Sequence, residues 1–310
     1  MRVVFLGTPE FAVPSLKALV SSGHEVAAVF TQPDRPKGRG KQVAESPVKL
    51  AAAALGLPVY QPERIRRAEC VELLRSLQSD LMVVVGYGQI IPQSIIDLPK
   101  HGILNVHASL LPKYRGAAPI QWAIANGEVE TGVTIMQIDA GLDTGEMLLR
   151  ERTLIGPDET APELSERLAV KGAQLLVRTI EQIADGSAQR EKQNNNEATY
   201  APILKKEDGL IDWSLAAHQI YNRMRGFKPW PGAYTFFRHQ QLTIVRAIPR
   251  EGSLLAPGAI RTDNQLLFAG CGQNTMLELL EIQPAGKKAM TAQAFLNGYK
   301  PAGDILGEQA

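Results

Sequence analysis

Asn105 and His107 stand one residue apart in the stretch NVHASLLPKYRG, Asn105 to Gly116, directly after the apolar pair Ile103 and Leu104. Alternate residues of a strand face the same way, so an amide and an imidazole project together from one face at the strand's carboxyl end. Further on, DAGLDTGEM places Asp143 in a glycine-flanked polar loop just past the next apolar strand. Ligands of open α/β sheets bind outside the carboxyl ends of the strands, so the three side chains are expected to converge at one edge.

The trio is a poor metal site, because Asn is a weak ligand and one His with one Asp falls short of the usual ligand count. Ser109 close to His107 suggests a serine hydrolase, but the glycine-flanked nucleophile elbow is missing. Acyl transfer to an amine uses all three groups. The attacked carbonyl becomes a tetrahedral oxyanion that the amide and imidazole can stabilise, each such donor being worth roughly 2.7 to 4 kcal/mol. An amine attacks only when neutral, so Asp143 has a proton to take, directly or through water, and an imidazole to orient. The plain alternative stands beside this one: a hydrogen-bonded structural His and an Asp engaged in turn chemistry.

Positioning these residues requires a sheet. From Val3 to about Ile155 short apolar runs alternate with helical stretches, the pattern of a doubly wound, mostly parallel sheet in an α/β domain. Strands are expected at Val3 to Leu6, Val26 to Phe30, Val59 to Gln61, Leu81 to Val85, Ile103 to His107 and Gly132 to Ile138. Helices are expected at Pro14 to Ser22, Pro47 to Leu55 and Cys70 to Gln78, and a longer one from the capping box of Thr160 and Glu163 to Asp185. SAQREKQNNNEAT, Ser187 to Thr199, has no large apolar residue and reads as a linker. The expected division is residues 1–189 as the α/β domain, 190–206 as linker and 207–310 as a small C-terminal antiparallel barrel or sandwich, opened by a helix from Ser214 to Arg225. KPWPGAY reads as packing or domain-interface residues, with stacking of Trp230 on RNA as the alternative.

Other motifs limit the function. Gly7 in FLGTPEF and Gly86 and Gly88 in GYGQII do not make a dinucleotide fingerprint, and no GxxxxGK[ST] phosphate loop exists; tight strand-end turns lining a pocket remain. With 45% hydrophobic and 21% charged residues and a net charge of +1, the chain reads as globular rather than uniformly basic. No apolar run is long enough to span a bilayer, the N-terminus lacks a signal-peptide pattern, and two distant cysteines suggest neither a disulfide framework nor zinc. A cytoplasmic location without membrane attachment is expected. One local exception is QPDRPKGRGKQ, where Arg35, Lys37, Arg39 and Lys41 face a lone Asp34. It is either a solvated loop or one suited to phosphate contacts.

The sequence resembles the methionyl-tRNA formyltransferase family over nearly its whole length. SLLPKYRGAAPI corresponds to the family's signature loop, TGVTIMQIDAGLDTG to the segment carrying its aspartate, and Asn105, His107 and Asp143 to its catalytic positions. The resemblance implies a Rossmann-like formyltransferase core and an OB-like C-terminal barrel that binds tRNA. It implies 10-formyltetrahydrofolate as co-substrate without a metal, with Ser109, Leu110, Leu111, Pro112, Gly86, Tyr87 and Gly88 in the folate pocket. It implies initiator methionyl-tRNA as partner, contacted by Arg35, Lys37, Arg39 and Lys41 and by Lys287 and Lys288 of IQPAGKKAM, where the family more often has Leu for Ile282. A monomer is expected. Lys113 and Tyr114 depart from an Arg and a Trp common in relatives, keeping charge and aromaticity but losing bidentate geometry. The rival readings are a folate-dependent formyltransferase or hydrolase acting on a small amine, and a non-enzymatic RNA-binding protein.

Overall fold

The computed structural model describes residues 1–37, 42–252 and 254–307. The chain divides into two compact units, one of Met1–Pro119, Glu130–Leu154 and Glu163–Ala201, the other of Ile120–Val129, Ile155–Pro162 and Pro202–Ala310.

In chain order the first half runs β1 (Arg2–Gly7), α1 (Val13–Ser21), β2 (Glu25–Phe30), a short hairpin of β3 (Arg35–Lys37) and β4 (Gln42–Ala44), then α2 (Pro47–Ala54) and β5 (Val59–Tyr60). It continues with α3 (Ala68–Ser76), β6 (Leu81–Val85), α4 (Gln93–Ile96), β7 (Ile103–His107), α5 (Pro119–Ala125), β8 (Glu130–Gln137), β9 (Met147–Leu154) and α6 (Ala161–Asp185). Seven strands form one sheet in the order β5-β2-β1-β6-β7-β8-β9. The β5-β2-β1-β6-β7 pairs are parallel, while β7 with β8 and β8 with β9 are antiparallel.

Local chemistry explains several boundaries. Ser46 caps α2, its hydroxyl accepting the Lys49 N–H at 3.1 Å, and Pro47 occupies the tolerant first turn. β1 is apolar on both faces because both are covered. Val4 and Leu6 join Val71 and Leu74 of α3 and Ile95 of α4 in one cluster, while Val3 and Phe5, of opposite parity, are equally buried. Burial of each such side chain contributes about 1.5 to 3 kcal/mol. Strand order reverses between β1 and β6, which marks the crevice at the carboxyl ends of those two strands. Their following loops are tied together, since Thr8 Oγ1 and Gln32 Nε2 both donate to the Tyr87 carbonyl, at 3.1 and 3.0 Å.

The second unit contains α7 (Ala217–Gly226), β10 (Tyr234–Phe237), β11 (Gln240–Glu251), β12 (Ile260–Asp263), β13 (Leu266–Gly270), β14 (Thr275–Pro284), β15 (Met290–Thr291) and α8 (Ala292–Tyr299). Its antiparallel sheet follows the order β10-β11-β14-β13-β12, with β15 on β14, and among the described residues no ladder joins β10 to β12. Register shifts around Arg246 bend β11. Trp213, Ile220, Leu242, Leu277, Leu279 and Phe295 belong to its core.

The helix expected from Ser214 starts instead at Ala217. Asp212 Oδ1 accepts both the N–H and the hydroxyl of Ser214, at 2.9 and 2.6 Å, and makes a turn there. Trp230 is 54% exposed.

Candidate active site

β7 is set by what lies behind it. Val106 turns away from Asn105 and His107 and meets α6 at Gly172, where an added Cβ would stand 2.8 Å from Val106 Cγ1 and 3.3 Å from Val133 Cγ1. The glycine lets the helix close on the sheet, and the strand's alternation then puts the amide and imidazole on the other face.

On that face the expected trio comes together. Asn105 Nδ2 donates to Asp143 Oδ1 at 3.3 Å, and His107 Nδ1 stands 3.7 Å from Asp143 Oδ2. His107 is 5% exposed, and its Nε2 lies 2.8 Å from the Tyr114 carbonyl oxygen. A carbonyl only accepts, so Nε2 carries the hydrogen and Nδ1 is the nitrogen that faces Asp143.

Asp143 reaches the site by a route other than the expected one. β8 runs antiparallel to β7, with Leu104 opposite Gln137 and His107 opposite Thr134, so the end of β8 lies at the amino end of β7. The following loop must therefore double back. Its neck is closed by the Ile138 N–H on the Ile103 carbonyl and the Gln137 N–H on the Glu146 carbonyl, both at 2.8 Å. Within it Asp143 takes a left-handed backbone, φ 53°, and turns its carboxylate to Asn105. The Gly116 N–H donates to Asp143 Oδ2 at 2.8 Å. Gly116 has φ 115°, and a Cβ there would stand 2.8 Å from the Ala201 carbonyl oxygen, so only glycine fits.

The arrangement joins a carboxylate to three groups: an amide with a second N–H to spare, a backbone donor and an imidazole of fixed orientation. Such a cluster has the groups that a base and oxyanion stabilisation require, the imidazole being able to donate from Nδ1 only when protonated. Among the described residues no group of three or more His, Cys, Asp or Glu side chains is arranged to hold a metal ion.

The other expected site residues fall in three places. Leu110 is half-buried, Leu111 and Pro112 are buried, and Leu111 packs with Met136 and Met147. Ser109 is fully buried and its hydroxyl donates to the Lys113 carbonyl at 2.6 Å, bracing the signature loop. Gly86 and Gly88, with φ 57° and 82°, flank a Tyr87 that is 1% exposed, with a hydroxyl that has no partner among the described residues and is pushed above its ordinary pKa by burial. Arg35 is exposed on β3. Arg39, Lys41 and the side chain of Lys37 lie outside the described residues. Lys287 and Lys288 are exposed in the turn from β14 to β15.

Sequence reasoning passed over Gly116, whose contribution is a backbone N–H, and Gln193, inside the stretch read as a linker. That stretch is tied to its unit. The Met147 and Glu191 main chains exchange two hydrogen bonds at 2.9 Å, and Arg115 N–H donates to the Thr199 carbonyl at 2.9 Å. Its wealth of amide side chains was the available signal, since amides hold polar backbone without needing apolar residues.

The family model described as formyl transferase matches residues 1–180, and that described as formyl transferase, C-terminal domain, matches residues 203–300. The chain is 60% identical to a methionyl-tRNA formyltransferase of Solibacter usitatus over 99% of both chains. It is 56% identical to one of Koribacter versatilis, again over 99% of both. In fold it is similar to a sugar 3N-formyl transferase solved in the presence of dTDP and 5-N-formyl-THF, with TM-score 0.67, 19% identity, 93% of this chain and 99% of that one covered. An N-formyltransferase of Helicobacter canadensis in complex with folinic acid and dTDP-3-aminofucose gives TM-score 0.66 at 19% identity, covering 91% and 98%. The sugar enzymes share the fold alone, whereas identity of this degree along the whole length places the chain in one group: it belongs to the methionyl-tRNA formyltransferase family.

Proposed function

We propose that Asn105, His107 and Asp143 transfer the formyl group of 10-formyltetrahydrofolate to the amino group of initiator methionyl-tRNA. The observation that carries this reading is the single carboxylate of Asp143 within reach of both Asn105 Nδ2 and His107 Nδ1, in a chain of this family.

Asp143 takes the proton of the arriving ammonium and shares it with His107 Nδ1. The neutral amine attacks the formyl carbon. The oxyanion accepts the free Nδ2 hydrogen of Asn105 and the Nδ1 hydrogen that His107 carries only as imidazolium. As the tetrahedral centre collapses, the bond from formyl carbon to the folate nitrogen breaks, and the second ammonium proton passes to that nitrogen. The proton on Asp143 and His107 then leaves to water. No enzyme acyl group forms, which accords with a Ser109 hydroxyl buried and committed to Lys113.

In this reading residues 1–189 bind the formyl donor, with Ser109, Leu110, Leu111, Pro112, Gly86, Tyr87 and Gly88 shaping the folate pocket. Residues 190–206, held in the first unit as far as Ala201, lead into a tRNA-binding domain of residues 207–310. Arg35, Lys37, Arg39, Lys41, Lys287 and Lys288 serve as phosphate contacts, Arg35, Lys287 and Lys288 being suited to this by their exposure. The protein acts as a cytoplasmic monomer, and no helix among the described residues is long and apolar enough to cross a membrane.

The test incubates purified protein with 10-formyltetrahydrofolate and either methionyl-initiator tRNA or free methionine, and examines the product's amino group. Formyl on the charged tRNA alone is expected. Formyl trapped on Ser109, or transfer to free methionine at an equal rate, would overturn the reading.

A further inference from the structure

Gln193 falls between the segments matched by the two family models, yet its amide closes a network around Asp143. Its Nε2 donates to the main-chain carbonyls of Asp143 and Gly145, both at 2.8 Å. Its Oε1 accepts from Arg115 Nε at 3.0 Å and from Nη2 at 2.8 Å, and that Nη2 also donates to Asn195 Oδ1 at 2.9 Å. Both amide hydrogens and the amide oxygen are therefore in use.

Arg115 is 3% exposed, and its guanidinium bonds amide oxygens rather than a carboxylate. A buried charge held this way polarises the Gln193 amide, which strengthens the bonds its two hydrogens make. The chain next to Arg115 completes the grip, since the Gly116 N–H holds the Asp143 carboxylate itself. Asp143 is thus held at its side chain by one residue of the signature loop and at its main chain by an amide anchored on the preceding residue. Its left-handed backbone costs on the order of 1 kcal/mol, so the turn depends on donors from outside it.

We infer that Gln193 is a positioning residue for Asp143, fixing the 143–145 turn so that the carboxylate stays among Asn105, His107 and the Gly116 N–H. The inference rests on Asp143 acting as the base. A displaced turn lengthens the proton-transfer distances while leaving the surfaces that recognise substrate in place.

Gln193→Ala, Gln193→Glu and Asp143→Asn are compared in steady-state formylation of methionyl-tRNA. Gln193→Glu keeps an acceptor for Arg115 but has no hydrogen for the two carbonyls, and it decides the matter if Gln193→Ala fails to fold. Both Gln193 variants are expected to lose about 10- to 100-fold in kcat with KM for methionyl-tRNA held within about twofold. A residue that only stabilised the fold would leave kcat per folded molecule unchanged. A kcat within about twofold of wild type in a folded Gln193 variant, or a loss confined to KM, overturns the inference. Full activity in Asp143→Asn would instead remove Asp143 from the reaction, which separates failure of the catalytic reading from failure of the positioning role.

Discussion

His107 Nδ1 stands 3.7 Å from Asp143 Oδ2 while His107 Nε2 is occupied by the Tyr114 carbonyl oxygen at 2.8 Å. The ring is thereby fixed with one working nitrogen, and that nitrogen faces the carboxylate. In the proposed mechanism, base and oxyanion donor are two states of one proton-sharing pair.

Removal of an oxyanion donor should therefore be costly and not additive. Asn105→Ala and His107→Ala are each expected to lower kcat by about 10²- to 10³-fold, and the double variant to fall well short of the product of the two losses. Steady-state formylation of the three variants checks this. Losses that multiply would mean that the two donors act independently.

Close approach of α6 to β7 makes Gly172 a stability determinant. Alanine would gain about 1 kcal/mol of helix propensity, but its Cβ would press on the stiff Val106 and Val133 side chains, an overpacking that costs about 1 to 3 kcal/mol. Gly172→Ala is expected to unfold at lower urea concentration than wild type and to lose kcat as β7 shifts. Equal midpoints would contradict this packing account.

Both cysteines should be chemically silent in the native protein. Burial pushes the Cys271 thiol up to about 12 and raises that of Cys70, and both side chains are buried. The reactive species is the thiolate. A chromogenic disulfide reagent at mildly alkaline pH is expected to label neither thiol until denaturant is added, and then both.

The hairpin of β3 and β4 springs from a strap in which Lys49 Nζ and Gln61 Nε2 bond the Asp34 carboxylate. The Lys49 bond first, then that of Gln61, holds Asp34 below its ordinary 3.8. A folded value below the unfolded one gives stability that is full above the unfolded value and is lost as pH falls through the folded one. Asp34→Asn is expected to melt below wild type near neutral pH, with the gap closing as both are acidified below the ordinary carboxylate range. A gap that persists in acid would show that the strap's charge is irrelevant.

Much of the site was legible because it depends on short-range rules. The strand Ile103–His107 has its expected bounds, and alternation alone puts Asn105 and His107 on one face. The direction of β8 was not legible, since an apolar run of this length reads the same parallel or antiparallel. Asp143 was expected beside them by an argument that needed a parallel β8. It arrives through a loop whose course depends on backbone bonds at Ile138 and Gln137. Gln193 and Asn195 were hidden for another reason: a stretch without apolar residues looks like a linker, and only the folded chain shows the carbonyls and guanidinium that its amides meet.

The most direct measurement is single-turnover formyl transfer to methionyl-tRNA by wild type and Asp143→Asn, alongside tRNA binding by each. Transfer is expected to fall about 10²- to 10⁴-fold in the variant, the range for loss of a general base, with binding unchanged. Transfer at the wild-type rate would contradict the assignment of Asp143 as the base, and loss of binding in step with transfer would make it a binding residue instead.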